Sequence, residues 1–207
     1  SEKEFERLIA GDARVLGTLR DWQKQIPSFI DWQIKREAEG WRYHDAELPV
    51  GFNLTLRDPD GLPKEIRIAG RADRFDIHSN NRSAAAVIDY KNQKITKIKD
   101  RAAHILNDPQ LLIYTRAVNE NPIAAHMPGR TVDKAEWVTL KAELDKGESK
   151  NIRSNVVEDM PELMDQFSIQ IEKDLNGLLA RQPMQAFAPD GVCQYCEARG
   201  ICRKGMW

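Results

Sequence analysis

Residues 84–90 read Ala-Ala-Ala-Val-Ile-Asp-Tyr, an apolar run without polar alternation, and Lys91 follows at once. A strand with one wet face alternates apolar and polar side chains, so an unbroken run marks a strand covered on both faces. Such a strand lies inside a sheet with a layer on each side, which commits the chain to an α/β arrangement. It also sets a problem. Asp89 and Lys91 project from the same face of this strand, because strand side chains alternate. Burying that pair is costly unless partners answer both charges.

The surroundings supply the layers. Residues 3–39 predict two helices broken near Pro27, with Phe5, Leu8 and Ile9, then Phe29, Ile30 and Ile34, at helical spacing. From Glu47 the period changes to two, with Phe52, Leu54 and Leu56 apolar. Asp58-Pro59-Asp60-Gly61 then signals a turn. A second strand is expected from Glu65 to Ile77, and Asn80-Asn81 turns the chain into Ala84. Helices follow over 95–106 and 109–119, the second opened by Asp108 as N-cap and Pro109 in the first turn.

Strands are expected at 122–127 and 134–141, and a Gly-, Ser- and Lys-rich loop at 146–154. A long helix comes next, with Val156, Leu163, Phe167, Ile171, Leu175 and Leu178 as its apolar stripe. The expected architecture is a central mixed β-sheet flanked by helices, one domain over 1–207. A cysteine-containing tail, 183–207, is expected to pack on that domain.

Length and composition fit this: 207 residues, 41% hydrophobic and 30% charged, can bury one good core. No apolar run approaches the roughly 18 residues of a membrane span, and the charged first residues do not make a signal peptide. A cytoplasmic location is the expectation. The net charge of −1 argues neither for nor against a nucleic-acid partner. Lys91, Lys94, Lys97, Lys99 and Arg101 crowd one segment, as a solvated helix face or as a track for a phosphate backbone.

The chemistry begins with a second acidic strand. Gly70-Arg71-Ala72-Asp73-Arg74-Phe75-Asp76 would lie beside Asp89 through the Asn80-Asn81 hairpin. Facing carboxylates repel unless a cation sits between them or one is protonated. Hard divalent ions prefer such oxygen ligands. The Asp-x-Lys triplet alone says little, since average composition yields a D/E-x-K about once in such a chain. Glu148-Ser149-Lys150 is a chance case in a polar loop. The signal is the conjunction of acid, turn and an apolar strand closed by Asp-x-Lys. The competing reading is a buried salt-bridge cluster, Lys91 with Asp89 and Arg74 with Asp76. Gln110 and Tyr114, four apart on the helix after Pro109, share a face.

In this order, Gly70-Arg-x-Asp73-Arg-x-Asp76, Asp89-Tyr90-Lys91 and Gln110-x3-Tyr114, the chain resembles the RecB/AddB-type nuclease domains of the PD-(D/E)xK superfamily. The resemblance covers residues 45–120 and, through Cys193-x2-Cys196-x5-Cys202, residues 187–203. It implies a metal-dependent DNA nuclease, a Mg²⁺- or Mn²⁺-dependent exonuclease domain of a DNA repair and recombination helicase–nuclease-like protein. Asp73 and Asp89 would be metal ligands, joined by the backbone carbonyl of Tyr90 and, on the first strand, Glu47. Lys91 would orient or activate the attacking water. Gln110, Tyr114 and Lys94 would bind the DNA strand, single-stranded or at a duplex end, and a helicase domain or subunit would be the protein partner. The alternative is a catalytically silent DNA- or partner-binding module of the same fold.

Relatives of this type begin with a cysteine and a helix bearing a histidine ligand. Neither precedes Glu47 here, so the expectation is a chain that starts downstream of both, which puts the activity of this fragment in doubt. The three cysteines at such close spacing suggest a thiophilic ion or cluster rather than disulfides. They are one ligand short of a zinc site or a cubane cluster. The resemblance implies a [4Fe-4S] cluster completed by the upstream cysteine; empty thiols in this chain are the other reading.

Overall fold

The computed structural model describes residues 6, 15–123, 125–143, 151–183, 193 and 196–202. The chain divides into two compact units, Ser1–Leu54 with Arg67–Phe167, and Thr55–Ile66 with Ser168–Trp207. Helix α1 (Val15–Ala38) leads into strands β1 (Trp41–Arg57), β2 (Pro63–His78) and β3 (Ala84–Lys91). Helices α2 (Ile95–Ala103) and α3 (Gln110–Glu120) follow, then β4 (Thr131–Glu143), β5 (Asn151–Val156) and α4 (Met160–Leu179). The five strands form one sheet in the order β1-β2-β3-β4-β5.

The sheet is mixed. β3 runs antiparallel to β2, with Arg74 opposite Ile88 and Asp76 opposite Ala86. It runs parallel to β4, and β4 is antiparallel to β5. A parallel neighbour needs a crossover, and α2 and α3 supply it. β3 is thus interior, as its apolar run requires: Ala85, Ala86, Val87 and Ile88 are all fully buried. On one face Ile88, Val138 and Ile152 form a cluster with Phe29 and Trp32 of α1.

Several expectations need correction. α1 is a single helix that continues through Pro27. An internal proline costs about 3 kcal/mol or more by removing a hydrogen bond and crowding the preceding turn. Tertiary packing outweighs it, since Phe29 and Trp32 dock on the sheet and Trp32 Nε1 donates to Ser154 Oγ at 2.9 Å. The sheet-facing stripe is Phe29, Trp32 and Arg36, while Ile30 and Ile34 are 48% and 61% exposed. Phe5, Leu8 and Ile9 lie outside the described residues.

β1 starts at Trp41, before Glu47. The described residues of 122–127 form turns rather than a strand, with Met127 N–H bonded to the Pro122 carbonyl at 2.7 Å. The buried Ala125 and Met127 produce the strand-like pattern there. Residues 151–154 of the expected 146–154 loop belong to strand β5, and 144–150 lies outside the described residues.

Arg36 ties the first unit together. Its guanidinium bonds Asp76 of β2 and Glu136 of β4, and all three side chains are buried. Asp76 also accepts from Arg74 Nε at 2.6 Å and Nη2 at 3.1 Å, and Lys134 Nζ lies 3.7 Å from Glu136. Trp32 and Trp41 flank the Arg36 guanidinium, 5.3 and 5.6 Å from their ring centres. Asp76 therefore holds structure through arginines.

The second unit carries the outer end of the β1–β2 hairpin, where Asp58 Oδ1 accepts from Asp60 N–H at 3.1 Å and Leu62 N–H at 2.8 Å. It also holds most of α4 and a 3₁₀ turn, Glu197–Gly200. No described helix is long and apolar enough to cross a membrane.

Removing one member of a buried ion cluster leaves the others uncompensated, at about 3–5 kcal/mol. Arg36→Ala should lose stability in that range, read as a lower urea midpoint with an unchanged m-value.

Candidate active site

The C-terminal end of β3 is where the apolar strand turns polar. Ile88 and Tyr90 face α1, so Asp89 and Lys91 face the other layer, where α3 lies. Carrying the β2–β3 register one step past Arg74–Ile88 sets Asp73 opposite Asp89. The Tyr90 backbone N–H donates to Asp73 Oδ2 at 2.7 Å, which fixes the Asp73 carboxylate against the strand.

Asp89 is only 2% exposed. Lys91 Nζ stands 2.6 Å from its Oδ2, yet the approach is ionic, and that buried oxygen receives no well-directed hydrogen bond. Lys91 in turn donates to Gln110 Oε1 at 2.8 Å, and Gln110 Nε2 donates to the Tyr114 hydroxyl at 3.3 Å. Tyr114 is 5% exposed and reaches the cleft through Gln110. A Cβ on Gly70 would stand 2.8 Å from Tyr114 Cε1, so glycine is what lets that ring approach β2.

Burial pushes the Asp89 carboxyl above its ordinary range, Lys91 pulls it back, and the charges of Asp73 and Asp108 push it further. Burial likewise raises the Tyr114 phenol; its contact with Gln110 opposes this, and Asp89, Asp73 and Asp108 add to the rise. Asp108 thus belongs to the electrostatics of the site. Its sequence position suggested an N-cap, but Pro109 holds that place and Asp108 is paired with Arg101. The useful signal was its position two residues before Gln110, at the start of a helix aimed at the carboxylates.

The remaining expected residues are placed differently. Lys94 is exposed at the start of α2, close in sequence to Lys91. Glu47, in a left-handed conformation with φ 55°, pairs with Arg71 at 3.8 Å and is two-thirds exposed. Among the described residues, no three His, Cys, Asp or Glu side chains gather to hold a metal, so Glu47 does not join Asp73 and Asp89. Cys193, Cys196 and Cys202 form no disulfide, and among the described residues no three ligating side chains gather around them. Three cysteines leave an iron–sulfur cluster one ligand short, whichever way they are arranged.

A divalent cation does fit at the acidic strands. Asp73 and Asp89 bring two carboxylates against one lysine, and the buried Oδ2 of Asp89 lacks a directed donor. Oxygen donors of surplus negative charge suit a hard ion. Both pairs of the salt-bridge reading are also present, Lys91 with Asp89 and Arg74 with Asp76, but on opposite faces of the sheet. On the α1 face Arg36 adds balancing charge; on the α3 face Asp73 leaves an excess of acid.

Gly70→Ala should push the Tyr114 ring away and loosen its contact with Gln110. Overpacking of this kind costs about 1–3 kcal/mol, visible as a lower melting temperature.

A family model of the PD-(D/E)XK nuclease superfamily matches residues 2–203. No curated protein matches the chain. The match spans nearly the whole sequence, and the five-stranded mixed sheet flanked by helices agrees with it. The chain belongs to the PD-(D/E)XK nuclease superfamily.

Proposed function

We propose that this chain hydrolyses phosphodiester bonds in DNA, with Asp73, Asp89 and Lys91 at the reacting phosphate. The observation that carries the reading is the linked set Asp73–Asp89–Lys91–Gln110–Tyr114, in which excess acid sits beside one positioned ammonium. Asp73 and Asp89, with the Tyr90 carbonyl, would hold Mg²⁺ or Mn²⁺. Such an ion supplies Lewis-acid polarisation of the phosphate and a lowered pKa for bound water.

The protein's own groups do the rest. Asp89 and Gln110 engage Lys91 from two sides, and an ammonium has three N–H donors. The third is available to a phosphoryl oxygen or the attacking water, and its charge opposes the negative charge that grows in the transition state. Tyr114 accepts from Gln110 and so turns the amide oxygen toward Lys91. Lys94, Lys97 and Lys99 would meet the phosphate backbone without reading bases. The motif order supports a RecB/AddB-type exonuclease domain acting with a helicase in DNA repair and recombination.

Labelled linear duplex and single-stranded DNA, incubated with Mg²⁺, Mn²⁺ or EDTA, tests the reading. Metal-dependent degradation is expected from the wild type, none from Asp89→Ala, and a rate about 10²–10³ lower from Lys91→Ala. Circular dichroism should show both variants folded. DNA bound but never cut, in this chain or one extended upstream, would leave a silent binding module in place of a nuclease.

The ion can be tested without activity. Saturating Mn²⁺ should raise the wild-type melting temperature, since a ligand at a hundred times its Kd stabilises by about 2.7 kcal/mol. Asp89→Asn should abolish the shift, and an equal shift in both proteins would remove Asp89 as a ligand.

A further inference from the structure

Two recesses lie outside the carboxylate site, both within the first unit. The larger, about 400 Å³, is lined by Gly51, Phe52, Asn53, Arg67, Glu120 and Asn121. The smaller, about 130 Å³, shares Gly51, Arg67 and Asn121 with it and extends to Gly70 and Ala117. Gly70 is the residue on which Tyr114 packs, so the two recesses form a groove that ends at the back of the Tyr114–Gln110–Lys91 chain. Its floor is close-set backbone: a Cβ on Gly51 would stand 2.7 Å from the Ile68 carbonyl oxygen.

The charges in this groove do not cancel. Glu120 is held by Arg116 at 2.6 Å, and the Arg116 guanidinium lies 4.5 Å from the ring centre of Phe52. Arg67 is exposed, and among the described residues it pairs with no acidic side chain. It precedes Asp73 by six positions on β2, about 20 Å along an extended strand. That separation suits several nucleotides, and an unanswered guanidinium in a polar groove suits a phosphodiester.

We propose that this groove carries the length of single-stranded DNA that adjoins the scissile phosphate, with Arg67 binding a backbone phosphate. The proposal rests on the nuclease reading for its ligand, but its test does not depend on cleavage. Asn53, Arg67 and Asn121 are the polar residues along the path, and a guanidinium on a phosphate carries no sequence information.

The probe is a fluorescent 20-nucleotide single strand of mixed sequence, with anisotropy recorded in EDTA over a range of NaCl. Each phosphate contact in a single strand contributes about −0.7 to the slope of log K against log [salt]. Arg67→Ala should therefore make the slope shallower by about 0.7. Arg82→Ala, which removes an exposed arginine from the turn before β3, should leave it unchanged. Ala69→Trp, at an exposed position lining the smaller recess, should raise Kd by obstructing the path. Melting curves establish that each variant is folded.

An unchanged slope in Arg67→Ala would overturn the proposal, as would an equal loss in Arg82→Ala, which reports net charge alone. If the Arg67 effect appears while no DNA is cut in Mg²⁺ or Mn²⁺, the groove stands and the nuclease reading falls. If DNA is cut while Arg67→Ala binds with the wild-type slope, the reverse holds.

Discussion

β3 brings ionisable groups into a layer from which water is excluded, and much of the first unit serves to answer them. Its residues 85–88 are fully buried, so whatever follows on the same strand inherits a poor solvent for charge. On the α1 face the answer is a network of arginines that joins the helix to two strands. Arg36 spans Asp76 and Glu136, Arg74 doubles the contact, and Arg74 Nη1 reaches the Tyr90 hydroxyl at 3.1 Å. On the α3 face it stays partial, because Lys91 meets Asp89 while Asp73 and Asp108 add like charge. One strand thus separates an arginine network from an acidic site by the thickness of a peptide plane.

The two faces explain why a short motif needs a large scaffold. Asp-Tyr-Lys contributes Asp89 and Lys91 to the cleft, and Tyr90 points away into Phe29 and Trp32, with ring centres 6.2 and 6.4 Å distant. The Tyr90 backbone nonetheless serves the cleft, since its N–H holds Asp73. The middle residue anchors the strand on one side and a carboxylate on the other.

Much of this was legible because it depends on local geometry. Alternation along a strand puts Asp89 and Lys91 together, a hairpin register brings Asp73 opposite, and four residues of helix align Gln110 with Tyr114. The interior place of β3 followed from its unbroken apolar run. What escaped notice depends on distant parts of the chain. Nothing near Arg36 indicates that it will meet Glu136, a hundred residues away. Gly70 matters only because Tyr114 arrives against it. β5 was missed because Asn-Ile-Arg-Ser-Asn-Val is mostly polar, as an edge strand tolerates. Ile30 and Ile34 satisfy helical spacing with Phe29, but the sheet selects the neighbouring stripe of α1.

The Arg36 network also sets the alignment of the strands. A one-residue slip moves every side chain of a strand to the opposite face. A slip of β2 or β4 would therefore carry Asp76 or Glu136 away from Arg36 and strand a guanidinium among tryptophans. In β3 the same slip would exchange Asp89 with Ile88, placing the acid under α1. Apolar strands such as Ala-Ala-Ala-Val-Ile tolerate misalignment well, since one buried methyl group resembles the next. The arginine does not, and so it acts as a proofreader of strand pairing, admitting the one alignment that also assembles the acidic cleft.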